Sequence, residues 1–434
     1  MSPSTVAVLS IVVLVALMML RMPVAYAMAL VGFVGFASVT SLQGALSILG
    51  KDFWVMFSSN SLTVIPMFVF MGTLAFHSGM GGRLYDAAYK FLGQLPGGLG
   101  IATAYACAAF GACCGSTTAA AAAMGKVILP EMKKYDYDPG LATGCVASAG
   151  SLAIMIPPST VLIIYGILTE QSIGKLFAAG ILPGLFLATL IAATVYTICR
   201  RNPRLGPAGA QAPWRERLGS LSGVGEMLAL FALVMGGLFL GWFTATEAGA
   251  GGAGGALLIA LLRRQLTWRG FVTSLAETTR ITAMVFLIVT GATLFGHFMA
   301  VTRVPFELSD WVGGLPVSRY LIMALIIFGY LIGGCFMDSL ALITLTVPVL
   351  YPVIMKLGFD PIWFGVIIVL VGEMGVITPP VGINVYVIKG VAGDVPMETI
   401  FRGIFPFLGA MVLCTAVLVI FPQLATFLPS LMAW

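Results

Sequence analysis

Apolar runs of about 20 residues recur along nearly the whole of this chain, each long enough to carry a helix across a lipid bilayer. In hydrocarbon a backbone must satisfy its own polar groups, which leaves helices or a closed β-barrel. The runs are continuously apolar, not alternating, so helices are expected. Charge usage agrees: 9% of the 434 residues are charged, where a soluble domain carries roughly a quarter. With a mean hydropathy of +1.04 there is no solvated shell for a core of this size. No polar stretch is long enough to fold into a domain of its own and hold a soluble active site. The net charge of +5 is spread over short loops, which marks topology and excludes a nucleic-acid surface. Seven cysteines, at 107, 113, 114, 145, 199, 335 and 414, lie almost all in apolar segments. They form no CxxC pair and no Cys/His ligand set, so neither a disulfide framework nor a metal cluster is expected. Residues 5–20 lack a basic leader and run into the next apolar segment, and are read as a first helix, not a signal peptide.

The arginines orient the spans. Residues 200–218 carry Arg200, Arg201, Arg204, Arg215 and Arg217 against Glu216, and a second basic turn holds Arg263, Arg264 and Arg269. Two spans, 224–240 and 243–262, separate them and join near Glu247, so both basic loops lie on one side, the cytoplasmic one. Working backwards, 176–199 and 142–168 cross, with Glu170 and Gln171 at a periplasmic turn. Lys133, Lys134, Arg83 and Lys90 then fall on the cytoplasmic side, 56–76 and 24–40 cross, and Arg21 sits in a cytoplasmic turn. Residues 99–130 begin and end beside cytoplasmic charges, and their middle, 111–118, reads Gly-Ala-Cys-Cys-Gly-Ser-Thr-Thr. A segment that returns to its own side around a small, hydroxylated tip is a re-entrant helical hairpin, tolerated only where buried in protein or lining a cavity.

The chain repeats itself. Pro157-Pro158 matches Pro379-Pro380 (379 − 157 = 222), and Gly111, Cys113, Ser116, Pro130 and Gly150 match Gly333, Cys335, Asp338, Pro352 and Gly372 at the same offset. With one gap, Gly180-Ile-Leu-Pro183 matches Gly403-Ile-Phe-Pro406. Each half reads as span, hairpin, Pro-Pro-broken span, span. The first half starts periplasmic and the second cytoplasmic, so the repeats are expected to be inverted, the architecture of secondary transporters with a midplane site. The fold class is therefore an all-α polytopic membrane protein, with about ten transmembrane helices, two re-entrant hairpins and both termini periplasmic. Its expected divisions are N-terminal scaffold helices at 1–43 and a first repeat at 44–200, with hairpin 99–130 and broken helix 142–168. A basic loop and two connecting scaffold helices occupy 201–269; a second repeat, 270–434, contains hairpin 319–353 and broken helix 362–390.

Each Pro-Pro sits mid-span, where it removes backbone donors and breaks the helix. The freed carbonyls suit a sodium ion, and half-helix N-termini suit an anion; a simple proline kink is the plainer alternative. Asp338, flanked by apolar residues, is the most costly residue in the chain, and an intramembrane carboxylate is functional by default. Glu373 and Asn384 flank the second break, where function and structural bracing are both open. Lys389 is expected to snorkel to the cytoplasmic interface, and His77 and His297 to be interface residues near span ends. Residues 249–255, Gly-Ala-Gly-Gly-Ala-Gly-Gly, mimic a phosphate loop but lie in a span without lysine, and read as close helix packing.

The Gly-Ser-Thr-Thr tip, Ile-Pro-Pro-Ser159, Phe243-Thr-Ala-Thr-Glu-Ala248, Phe336-Met-Asp338 and Thr378-Pro-Pro-Val-Gly-Ile-Asn384 resemble the large membrane subunit of tripartite ATP-independent periplasmic (TRAP) transporters. The resemblance covers essentially the whole chain. It implies a multi-pass permease of the bacterial inner membrane, in which an elevator-type domain of hairpins and broken helices, driven by sodium, carries a small organic anion, a carboxylate or sugar acid. It also implies two partner polypeptides, a small four-helix membrane subunit and a periplasmic substrate-binding protein, and no organic cofactor. Carried over, a first sodium site would use Cys114, Ser116 and Thr117 with Ala153, Ile156 and Pro157. A second would use Gly334, Gly375, Thr378 and Val381, while Asp338, Ser159 and Asn384 would face the substrate. Ala153 stands where relatives often have glycine, and Cys114 where serine is usual. Two other readings stay open: a self-sufficient ion-coupled carboxylate symporter, and an intramembrane protease using Ser116 or Asp338. The protease reading lacks a second aspartate or a Ser/His dyad at matching depth.

Overall fold

The computed structural model describes residues 3–209 and 211–432, and every regular element among them is helical. By length and apolarity alone, seven helices among the described residues qualify as spans, or nine when each bent pair is taken as one; Pro3–Met19 and Val24–Val39 are apolar but shorter.

The repeat seen in the residues recurs in the helix boundaries. The first hairpin is Gly98–Cys114 and Thr117–Lys134; the second is Arg319–Phe336 and Ser339–Lys356. Its inner ends fall one offset apart (336 − 114 = 222 and 339 − 117 = 222), as do its last residues (356 − 134 = 222). The broken helices, Pro139–Met155 with Thr160–Thr169 and Pro361–Ile377 with Ile383–Ala392, follow the same register (361 − 139 = 222). They start alike for a local reason. Asp138 and Asp360 each cap a helix by accepting a backbone N–H, from Leu141 at 2.9 Å and Trp363 at 2.8 Å. A proline follows each cap, where its missing N–H costs nothing. The hairpins and breaks thus extend a few residues beyond the expected 99–130, 319–353, 142–168 and 362–390.

Three features depart from expectation. The span expected at 56–76 is the second part of a bent pair: Leu42–Ser58 turns by 56° into Ser61–His77. The bend falls at Ser59 and Asn60, residue types that favour turns over helix interiors. In the second half Ile281 and Thr282 stand at the matching positions, and the chain continues as one 35-residue helix, Trp268–Thr302. Two further helices, Met80–Leu92 and Val304–Gly313, have 13 and 10 residues, too few to cross, and lead into the hairpins. The two histidines pair with carboxylates: His77 Nε2 meets Glu277 at 3.0 Å and His297 Nδ1 meets Asp52 at 3.0 Å.

Glycines set the close approaches. A Cβ on Gly111 would lie 2.5 Å from Ala153 Cα, and one on Gly375 would lie 2.5 Å from Gly334 Cα. The first arm of each hairpin is therefore pressed backbone to backbone on its own broken helix, as small residues allow in membranes. The glycine run at 249–255 admits neighbouring side chains instead: a Cβ on Gly252 would meet Met71 Sδ at 2.6 Å. On the side expected to be cytoplasmic, Glu226 joins Arg83 (2.6 Å) and Arg263 (2.7 Å), and Lys389 donates to the carbonyls of Gly393 and Val395. The base of the first hairpin meets the far end of the second broken helix through Lys133 and Asp394, 3.0 Å apart. The base of the second hairpin meets the far end of the first broken helix, where Gln171 Nε2 donates to the Tyr351 hydroxyl at 3.2 Å.

Candidate functional site

The two hairpin tips converge on one cavity of about 1340 Å³. Ser116, Thr117 and Thr118 face it from the first tip and Gly333 and Asp338 from the second, and helices 24–39, 64–77 and 268–302 close the other side. Gly115 turns the first tip with a φ of +60°, a conformation that suits glycine. Its carbonyl accepts from Thr160 Oγ1 at 2.9 Å, which pins the tip to the first break. At the second tip Asp338 caps helix Ser339–Lys356 by accepting from the Leu340 N–H at 3.1 Å. Asp338 thus both braces the tip and lines the cavity. Arg21 and Lys126 also line the cavity.

The residues expected at the first cation site lie together. Cys114 is half-buried beside Ser116, whose Oγ is 3.4 Å from Thr118 Oγ1. Ala153, Ile156 and Pro157 are buried at the break the tip rests on. At the second site Gly334 and Gly375 touch, and Thr378 ends helix Pro361–Ile377 with its Oγ1 on the Met374 carbonyl at 2.5 Å. Val381 is half-buried in the same turn. The last carbonyls of a helix have no partner within it. Each break therefore offers hydroxyls and carbonyl oxygens, a donor set suited to a hard monovalent cation. Cys114 contributes only a weak sulfur donor, directed at the Ser116 carbonyl over 3.7 Å.

Of the three residues expected to face substrate, only Asp338 lines the cavity. Ser159 is buried and caps helix Thr160–Thr169, accepting from the Leu162 N–H at 3.3 Å. Asn384 is also fully buried, with neither amide atom hydrogen-bonded among the described residues. Both stand next to a break in sequence, but the helix turn they start points them into protein.

Glu373, left open between function and bracing, proves central. It is 0% exposed, and its two carboxylate oxygens accept from Ser339 Oγ (2.7 Å) and Thr117 Oγ1 (2.9 Å). These are the first helical residues after the two tips. Ser339 carries no signal of its own in the sequence, although it stands opposite Thr117 in the repeat (339 − 117 = 222).

Comparison with known proteins matches this architecture. Residues 11–424 fit the family model described as tripartite ATP-independent periplasmic transporter, DctM component. The chain is 34% identical over 371 residues to the C4-dicarboxylate TRAP transporter large permease protein DctM of Pseudomonas aeruginosa, covering 85% of this chain and 86% of that one. It is 34% identical over 372 residues to the sialic acid TRAP transporter large permease protein SiaM of Vibrio cholerae, with 86% of each chain covered. The isethionate TRAP transporter permease protein DctMQ of Oleidesulfovibrio alaskensis is 33% identical over 378 residues, which span 85% of this chain and 57% of that longer one. Among solved structures, the YdaH transporter of Alcanivorax borkumensis superposes with a TM-score of 0.65 over 89% of this chain and 90% of that one. At 14% identity that likeness concerns the fold alone.

Proposed function

Because the chain belongs to the DctM-component family of tripartite ATP-independent periplasmic transporters, and is thus a multi-pass membrane permease and not an enzyme, we propose that it imports a small organic anion, a carboxylate or sugar acid, across a bacterial inner membrane by sodium-coupled alternating access. The observation that carries this reading is the meeting of two repeat-related hairpin tips, each seated on a broken helix, around a single cavity. The relatives named for C4-dicarboxylates and for sialic acid favour anionic cargo.

The contacts at the hairpin bases favour inverted repeats. The first broken helix starts beside the first hairpin's base and ends beside the second's, at Gln171 and Tyr351. The two hairpins then enter from opposite faces, with tips near mid-depth. An elevator movement of hairpins and broken helices against helices 24–39, 64–77 and 268–302 would open the cavity to either side in turn. Sodium ions, as coupling substrates, would bind at the two donor sets and order the tips. A small four-helix membrane subunit and a periplasmic binding protein would complete the importer.

The test is uptake into proteoliposomes holding this chain, a small membrane subunit and a loaded binding protein. Uptake should follow an inward sodium gradient and need no ATP. Full activity without sodium, on ATP alone, would overturn the reading. Equal uptake without the binding protein would favour a self-sufficient symporter.

A further inference from the structure

Glu373 is a carboxylate held deep in protein with no cation against it among the described residues. Such a group is expensive unless its acceptor sites are filled. Here they are filled by the two hairpins at once. Ser339 Oγ donates to one oxygen at 2.7 Å and Thr117 Oγ1 to the other at 2.9 Å. Thr117 follows the cap Ser116, and Ser339 follows the cap Asp338. The carboxylate therefore lies against the first turns of two helices, whose dipoles favour negative charge there.

The arrangement is not a by-product of the repeat. The partner of Glu373 in the first half is Ser151 (373 − 151 = 222), equally buried but without a carboxylate to offer. A carboxylate in one half alone accepts from the equivalent hydroxyl of both tips, so the pair shares a single brace. The residue also stands between the two candidate cation sets: Thr117 belongs to the first, and Gly375 lies two positions along its own helix.

We propose that Glu373 is a positioning residue that ties the two hairpin tips together, so that ordering one tip by a cation pre-orders the other and the two sites fill cooperatively. The inference rests on the sodium-coupled reading above. The physical basis is shared ordering entropy: the first ion fixes Thr117, the carboxylate and Ser339, and the second ion then has less to fix.

The test is sodium-dependent thermal stabilisation of the full chain with its small subunit, titrating sodium against choline at constant ionic strength. Wild type should give a sigmoidal curve with a Hill coefficient above 1. Ser339→Ala, which cuts one link, and Glu373→Met, which removes the brace, should bring it to about 1 and raise half-saturating sodium about fivefold or more. Glu373→Gln keeps the shape, accepts from one hydroxyl and donates to the other, and should retain cooperativity. A role confined to packing would shift melting without sodium and leave the Hill coefficient unchanged, which would overturn the proposal. Loss in the Gln variant equal to that in the Met variant would overturn it too, by making charge, not bridging, the cause. A wild type that responds to sodium non-cooperatively defeats this inference alone; one that ignores sodium defeats the coupled reading on which it stands.

Discussion

Replacing Gly375 with alanine should destabilise the protein, although glycine-to-alanine in a helix ordinarily does the reverse. The ordinary gain is about 0.5–1 kcal/mol, from lower backbone entropy in the unfolded chain. At Gly375 the added Cβ would lie 2.5 Å from Gly334 Cα and carbonyl carbon and 2.8 Å from the Leu331 carbonyl oxygen. Carbon atoms rest at about 3.5–4.0 Å, so hairpin and broken helix must part by about 1 Å. The obstructing atoms are backbone and cannot rotate away. Overpacking of this kind costs about 1–3 kcal/mol, which outweighs the propensity gain. Gly254 is the control: it lies within helix Ala245–Leu262, and a Cβ added there would meet no atom within 4 Å. Gly254→Ala should keep the gain of about 0.5–1 kcal/mol. Thermal melting of both variants, with and without sodium, measures the contrast. Gly375→Ala should melt lower and need more sodium for the same stabilisation, because Gly334 and Gly375 are both in the second donor set. A melting point at or above wild type would refute the backbone contact.

Asp338→Asn keeps an oxygen for the cap but removes the carboxylate from the cavity, so melting should stay within a few degrees of wild type while uptake falls; normal uptake would show the charge dispensable. Ser159→Ala should cost about 1 kcal/mol, the loss of one helix cap, and leave the substrate concentration for half-maximal uptake unchanged, since Ser159 caps a helix and does not line the cavity.

The hairpins and breaks are legible in the sequence because their determinants are local: a proline pair and small, hydroxylated tips. The Asp-Pro caps at 138–139 and 360–361 carry the same 222 offset and sharpen the helix starts once the repeat is known. The bend at 59–60 is hidden because a short polar stretch, Ser58-Ser59-Asn60-Ser61, looks like surface and not a hinge. Ser159 and Asn384 look like substrate contacts because they stand close to a break along the chain. Ser159 caps its helix and turns its side chain back on it, whereas Asn384 lies inside helix Ile383–Ala392 and is buried in protein without capping it; both directions are set in three dimensions. The Thr117–Glu373 bond joins residues 256 apart, so no periodicity announces it. Repeat register comes nearest, since it pairs Thr117 with Ser339.

Alternating access in this account depends on the two hairpins entering from opposite faces, and cysteine labelling with an impermeant reagent tests that directly. The seven native cysteines are free, so a cysteine-depleted background is required. In the basic loop Gln211 is exposed and is a better probe site than Gly209, where a Cβ would lie 2.5 Å from the Tyr89 hydroxyl. Gly314, before the second hairpin, is also exposed. Gln211→Cys should react only from the cytoplasm and Gly314→Cys only from the periplasm. Reaction of both from the same face would mean parallel repeats, and the tips could not then approach one site from opposite sides.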